Sequence, residues 1–417
     1  MDRNPLKVVI VGAGAGGLCL AQGLKQDGVA VQVFERDHTP SDRLQGYRLS
    51  IRGEGGKALR ACLPEALFEK LINNAANPSS RVTFLDHHLN RLLTLDIPRK
   101  DRMAPDAERP ISRIALRRIL LEGLDGDVHF GKKFIAFEDA PDGRIVARFE
   151  DGSWATGDVL IGADGANSRV RAQLLPEAKR IETGIMIVSG KFGLSEGVRD
   201  ETPEAIWRGP TLLLGPPGSF LFGNGVEFGR EDGAPASGRE GYVMWGFSAW
   251  CDMFGAGTDL ENLNGEELKR LVLRLMKDWS PAARRMVERA EPATVNAFPA
   301  KTSVPTPPWR TRNVTLLGDA LHNMTPYRGV GANVALRDAG ALRRALAAVA
   351  RGERELIPAL ADYERDMVDY GFCAVRASLK QMERLHARSL LERFATKTFF
   401  RAADLFPPLK STFADGG

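Results

Sequence analysis

The sequence predicts an α/β fold, α+β overall, in which β-α-β segments are interrupted by an antiparallel sheet and followed by helices. Three observations carry that prediction. A β-branched run enters a glycine-rich turn at residues 7–17; two later strands end in aspartate-containing turns, at 154–174 and 313–342; and residues 181–250 hold short β-rich runs broken by Pro and Gly turns. At 417 residues, 43% of them hydrophobic, the chain can build one large two-part domain or two to three compact ones.

The first element, VVIVGAGAGG at 8–17, admits two readings: the apolar core of an export signal, or a strand running into a phosphate-binding turn. Four glycines inside the supposed apolar core argue against the signal. Glycine is abundant enough that a bare GxGxxG arises by chance about 0.4 times in such a chain, so context decides. Lys7 to Val11 is β-branched, Gly12, Gly14 and Gly17 form the fingerprint, Leu18 to Lys25 reads as a helix stopping near Gly28, and VAVQVFE is a second strand. That strand ends at Glu35, 23 positions after Gly12, where a Rossmann fold places the carboxylate that takes the adenosine ribose hydroxyls. Gly12 makes the tight turn, Gly14 admits a pyrophosphate to the backbone, and Gly17 lets helix and strand pack closely, while the helix N-terminus offers amides and positive dipole. A carboxylate at 35 repels a 2′-phosphate, which favours the ADP half of FAD or NAD over NADP. No second such fingerprint follows a strand downstream.

WATGDVLIGADGANSRVRAQL and NVTLLGDALHNMTPYRGVGANVALRDAGAL each read as a buried strand, an Asp-containing turn and a helix. In the second, Asp319 ends a strand, and the helix starting around Gly331, Ala332 and Asn333 presents bare amides suited to developing negative charge. Between these segments, RVTFLDHHLNRLLTLDI (81–97) alternates as strands do, with a turn near Asn90. LNGEELKRLVLRLMKDWSP (263–281) is an amphipathic helix whose start, Asn264 with Glu267, is a capping box. From about 355 the chain is helical with alternating charges, and its aromatic and methionine residues are expected in the core.

Composition narrows the function. The 57 basic and 53 acidic residues are interspersed, so nucleic acid is not an expected partner. Cys19, Cys62, Cys251 and Cys373 lack CxxC spacing and are expected to pack as small hydrophobes in a reducing, cytoplasmic setting. No run reaches the 18 apolar residues of a membrane span. His87, His88, His322 and His386 form no metal spacing, and no GxSxG occurs, so no metal site and no hydrolase are expected; His322 reads as structural.

Taken together, GAGAGG with Glu35, GADGANSRVR and GDALHNMTPYRGVGAN resemble, in order and spacing from residue 7 to about 345, the fingerprints of the FAD-dependent monooxygenases of the p-hydroxybenzoate hydroxylase type, the group A flavoprotein hydroxylases. GYRLSI and RGVGAN match their antibiotic and secondary-metabolite branch. The resemblance implies a Rossmann-type FAD-binding domain (GR2-like) in three parts, 1–75, 106–178 and 301–350, a substrate-binding sheet from 76–105 and 179–300 roofing the flavin, and C-terminal helices at 351–417. Gly12, Gly14, Ala15, Gly16 and Gly17 would hold the pyrophosphate, Glu35 the ribose, and Arg36 would lie beside the adenine. Arg113 of ISRIALRRIL would contact FAD, and Asp164 would serve both FAD and NAD(P)H. Asp319 would bind the ribityl chain, Gly331, Ala332 and Asn333 the pyrimidine edge, and Pro326 would sit where oxygen is activated. Arg48 is the expected mobile-flavin arginine, with Arg43 the rival, and Leu321 replaces the usual alanine of GDAAH.

The implied chemistry is transfer of one oxygen atom from O2, through a flavin C4a-hydroperoxide made with NADPH or NADH, to an aromatic or polycyclic apolar small molecule by a monomer or homodimer. Met244, Trp245, Phe247, Trp250, Phe220 and Phe222 suggest such a ligand, although core packing accounts for them as well. The alternatives are a halogenase, reductase or oxidase of the same fold, or a carrier that keeps the FAD fold without redox work; the halogenase Trp-x-Trp-x-Ile-Pro pattern is missing.

Overall fold

The computed structural model describes residues 5–40, 42, 48–195, 197–227, 230–231, 234–235, 241–255, 257–406 and 408–410. Arg43 lies outside the described residues. The chain forms two compact units: residues 1–75, 100–181 and 301–379 make the first, and residues 76–99, 182–300 and 380–417 the second.

In the first unit, five parallel strands lie in the order Val314–Leu316, Val159–Gly162, Lys7–Val11, Ala30–Phe34, Val128–His129. The first strand is buried from Val8 to Val11 because helices cover the sheet, which is why the sequence reads there as a continuous apolar run rather than an alternation. Helix Ala15–Gln26 follows it directly, with Gly28 in the left-handed region (φ 71°) just past its end. The strands ending at Phe34, Gly162 and Leu316 deliver Glu35, Asp164 and Asp319 to the carboxyl edge of one sheet, where ligands of such folds gather. A three-stranded antiparallel meander, Phe134–Asp139, Ile145–Phe149 and Trp154–Gly157, precedes the second of these strands.

The second unit is built on a seven-stranded sheet in the order Asn296–Ser303, Arg180–Gly193, Tyr242–Trp250, Ser219–Val226, Thr211–Leu214, Arg81–Asp86, Arg91–Asp96. It is mixed rather than purely antiparallel, as Thr211–Leu214 runs parallel to Arg81–Asp86. The expected hairpin near Asn90 is present. Strand alternation sorts the aromatic side chains: Val243, Trp245, Phe247 and Ala249 enter a core shared with Leu268, Val272, Ala283 and Met286. Those last residues come from helices Gly265–Leu275, which carries the predicted Asn264–Glu267 capping box, and Pro281–Glu288.

The C-terminal region is helical: helix Leu356–Leu385 begins in the first unit and ends in the second, to which helix Leu390–Leu405 belongs. One expectation is corrected, since its aromatic and methionine residues are not all core: Tyr363, Met367 and Phe372 are buried while Phe394 and Phe399 face solvent. Cys19 and Cys62 are buried as expected, but Cys251 and Cys373 are exposed.

Candidate functional site

The first turn is shaped by its neighbours as much as by its own glycines. Gly12 has φ 111°, and a Cβ there would lie 2.3 Å from the Ala163 carbonyl oxygen, so the turn and the Asp164 segment touch backbone to backbone. Gly17 approaches the Gly12 carbonyl as closely, since its Cβ would lie 2.2 Å from that oxygen. Gly14 is different: it is exposed, and a Cβ there would meet nothing within 4 Å. It is also the N-cap of helix Ala15–Gln26, with no side chain bonding the first amides. Gly14 and Ala15 therefore offer accessible backbone to an anion. Gly16, also expected on the pyrophosphate, is buried, and a Cβ there would lie 2.4 Å from Leu317 Cδ2, so this position requires glycine for packing.

Glu35 is buried and already organised: it accepts the Ala13 N–H at 2.7 Å and the Asp37 N–H at 3.0 Å. Carboxylate oxygens have two lone-pair directions each, so hydroxyl donors can still be taken at the same group. Arg36 next to it is exposed. Arg113, the predicted contact on helix Arg113–Leu121, is exposed, whereas Arg117 one turn later reaches the cluster, 3.1 Å from Asp37 and 3.8 Å from Glu35. Sequence reasoning missed Arg117; the spacing of four residues was the available signal, since it puts both arginines on one helix face.

Asp164 accepts amide hydrogens from Arg169 and Val170 through Oδ2, at 2.8 and 3.3 Å. Burial pushes its carboxyl above the usual carboxylate range, against the Ser168 hydroxyl and the amides, which pull the other way. Arg48 lies on strand Arg48–Ile51 and is ion-paired with Glu108 at 2.9 Å, both side chains largely buried.

The third segment holds the most organised cluster. Asp319 opens a one-turn helix after Gly318 and is exposed, and its Oδ1 lies 4.0 Å from where a Cβ on Gly331 would be. Gly331 starts helix Gly331–Ala350, whose N-cap, Val330, makes no side-chain cap bond. Exposed carboxylate and bare helix start thus face one space, with Pro326, also exposed, between them in the chain. Ala332 is half-buried at the same helix start. The Asn333 side chain accepts the Arg52 N–H at 2.8 Å and donates to the Ser50 carbonyl at 2.9 Å, joining the helix start to the Arg48 strand.

Beneath Asp319 lies a network that sequence reasoning did not assemble. Asp338, fully buried, accepts the Gly318 N–H at 2.8 Å, the Tyr370 hydroxyl at 2.6 Å, and His322 Nε2 at 2.7 Å. Burial drives the His322 pKa down, but the Asp338 carboxylate outweighs it and holds the imidazolium above its ordinary range. Tyr363 donates to the Leu316 carbonyl at 2.8 Å from the same long helix. Gly371 gives His322 its room, since a Cβ there would lie 2.7 Å from the ring. His322 is thus structural, as read, and it acts on the turn that carries Asp319.

These residues fit a flavin dinucleotide on chemical grounds: open backbone at Gly14, a ribose-type acceptor at Glu35, and a carboxylate beside an uncapped helix. Among the described residues no group of His, Cys, Asp or Glu could hold a metal ion, and no helix is long and apolar enough to cross a membrane.

Comparison with known proteins agrees with this chemistry. Residues 10–61 match the NAD(P)-binding Rossmann-like domain family, and residues 259–370 match the FAD binding domain family. The FAD-dependent monooxygenase phnB of Penicillium herquei is 27% identical over 403 residues, covering 93% of this chain and 92% of that one. The dual O-methyltransferase/FAD-dependent monooxygenase elcB of Phaeosphaeria nodorum is 31% identical over 392 residues, 85% of this chain and 41% of that protein. The chain spans less than half the length of elcB and of its dual-function relatives from two Cercospora species. Among solved structures, a protein assigned as an FAD containing monooxygenase from Photorhabdus luminescens superposes with a TM-score of 0.81 at 32% identity, covering 91% of this chain and 98% of that one. The chain belongs to the FAD-dependent monooxygenases of the p-hydroxybenzoate hydroxylase type.

Proposed function

We propose that the protein uses FAD, NAD(P)H and O2 to insert one oxygen atom into an aromatic or polycyclic small molecule. The observation that carries this reading is the Asp319 carboxylate standing 4.0 Å from the Gly331 position at an uncapped helix start. FAD, when bound, supplies the two-electron redox and oxygen chemistry; the protein's task is to bind, orient and dry the site.

The Gly14 and Ala15 backbone would take the pyrophosphate, and Glu35 the ribose, with Arg117 neutralising the Glu35–Asp37 pair. Asp319 would accept from the ribityl hydroxyls. The Gly331 and Ala332 amides would stabilise negative charge where the reduced cofactor carries it, because a helix start with free N–H groups offers both donors and dipole. Arg48, held by Glu108, is proposed as the cation that steadies the flavin, and Asp164 as the acidic group serving cofactor and reductant.

For the substrate, the sheet of the second unit supports a flat apolar ligand on one face only. Trp245 and Phe247 belong to the helix-facing core, whereas Phe222, Met244 and Gly246 are half-buried on the opposite face. A Cβ at Gly246 would touch only Ser189, 3.9 Å away, which leaves a shallow floor beside the Phe222 ring.

The test is cofactor loading followed by turnover. The purified protein is expected to carry a yellow chromophore absorbing near ~450 nm, and Asp319→Ala to lose it on dilution without losing its fold. NAD(P)H oxidation stimulated by a phenol, polyketide aromatic or indole, with one O2-derived oxygen in the product, would establish the reaction. A colourless protein that cannot be loaded with FAD refutes the proposal.

A further inference from the structure

Helix Leu390–Leu405 presents two apolar faces. Its inner face buries Phe400 and Ala403 in the second unit. Its outer face is left to solvent: Leu391 is 81% exposed, Phe394 70% and Leu405 76%, with Leu390 and Phe406 similarly bare at its ends. With about 200 Å² for a side chain of this size, these five expose roughly 700 Å². That is larger than the apolar patch of an ordinary monomer and close to the ~800 Å² each partner contributes to a standard interface.

The pattern of the stripe indicates what covers it. Leu391, Thr398 and Leu405 are seven residues apart and so lie within about 20° of each other per step along one line. Phe394 and Ala402 flank Thr398 at four residues on either side. Reversing the helix about Thr398 therefore places Leu391 opposite Leu405, and large Phe394 opposite small Ala402. A stripe that is complementary to its own reverse is what an antiparallel, two-fold contact requires, and no foreign partner would impose that symmetry.

We propose that this face is the interface through which two copies of the chain pair, around a two-fold axis at Thr398. The inference is independent of the proposed activity. The small residues Thr398 and Ala402 let the helices cross within the usual 8–10 Å separation. With Cα atoms about 2.3 Å from each axis, an axis separation of about 9–10 Å would bring the two Thr398 Cα atoms to about 4.4–5.4 Å, within disulfide range.

Three measurements on the full chain test this. Light scattering across a concentration series should give a mass twice that of the chain, and Leu391→Glu or Phe394→Glu should weaken pairing at least ~100-fold, because a two-fold interface contains each change twice. Both positions are exposed, so far-UV circular dichroism should keep the wild-type signal and melting should stay cooperative, falling only by the concentration-dependent stability that pairing itself lends, which separates lost pairing from lost folding. Thr398→Cys, in a background with the exposed Cys251 and Cys373 changed to Ser, should form an intermolecular disulfide under mild oxidation, whereas Glu392→Cys should not. A chain that stays monomeric at every concentration overturns the proposal. So does pairing that survives both glutamate variants, or a wild-type monomer that binds phosphatidylcholine–phosphatidylserine vesicles through this face.

Discussion

Replacing Asp338 by Asn probes whether the buried network holds the turn that carries Asp319. The carboxylate accepts three bonds, from Gly318 N–H, the Tyr370 hydroxyl and His322, and is fully buried with its histidine partner. Asparagine has nearly the same shape but only one acceptor oxygen, so its NH2 must face either the Gly318 N–H and His322 or the Tyr370 hydroxyl, which would then have to turn from donor to acceptor. Two effects then compete. Removing the charge relieves its desolvation, while stripping a partner from a buried ionic pair leaves donors unmatched; the second dominates when one partner stays, at about 3–5 kcal/mol. His322 can shed its proton, which recovers part of this, so the expected loss is about 3 kcal/mol. At ~2–4 °C per kcal/mol for a unit of this size, thermal unfolding by circular dichroism should shift down by roughly 6–12 °C. The Gly318 N–H loses its anchor in the same step, so FAD should dissociate faster from the variant than from wild type. A double-mutant cycle with His322→Gln should show strong coupling, with the double variant little worse than Asp338→Asn alone. A shift under 2 °C, or strictly additive effects, would refute the claim that the pair acts as one support.

Other consequences follow from the same geometry. Gly17→Ala should destabilise the protein by about 1–3 kcal/mol, since its Cβ would press on the Gly12 carbonyl, whereas Gly14→Ala should leave the apoprotein's melting unchanged and lower FAD affinity, as read by flavin fluorescence on titration. His386 donates through Nδ1 to the Met382 carbonyl and so accepts from Ser248 through Nε2, and burial lowers its pKa to about 4. The unfolded chain therefore binds a proton that the folded one refuses, so the stability this neutral histidine contributes is complete above pH ~6.5 and is lost as pH falls toward 4, by up to ~3 kcal/mol. Urea denaturation at several pH values should show that slope, and His386→Gln should flatten it. Trp245→Ala should cost about 3–5 kcal/mol of stability, while Phe222→Ala, on the other face, should leave melting nearly unchanged and raise the KM for an aromatic substrate. The reverse pattern would mean that the two sides of the sheet have been misread.

How much was legible depended on how local the cause was. The Lys7–Val11 strand, the glycine turn and the Asn264 capping box are set by neighbours a few residues apart, and each was found where the sequence put it. Site residues were harder. Glu35 and Asp319 stand at strand ends, a position the pattern encodes. Arg113 and Arg117 share one helix face, and the approach of Asp37 to the second is a tertiary contact that the helical spacing does not encode. Gly16 belongs to the expected phosphate turn, and what its sequence neighbours do not encode is that Leu317, about three hundred residues away, fills the space where a side chain would be.

By itself, the sequence determined that this chain builds a dinucleotide turn, ends three strands in acidic groups and carries the motifs of a flavin monooxygenase, since those depend on backbone freedom, periodicity and short-range spacing. Tertiary structure alone decided which face of the Tyr242–Trp250 strand is core, why Asn333 is clamped to Ser50 and Arg52, and how Asp338 gathers Gly318, His322 and Tyr370 under Asp319. Each of those outcomes rests on groups brought together from distant parts of the chain. A buried donor must be matched by whatever acceptor the packing delivers, and packing is a property of the whole unit rather than of any stretch within it.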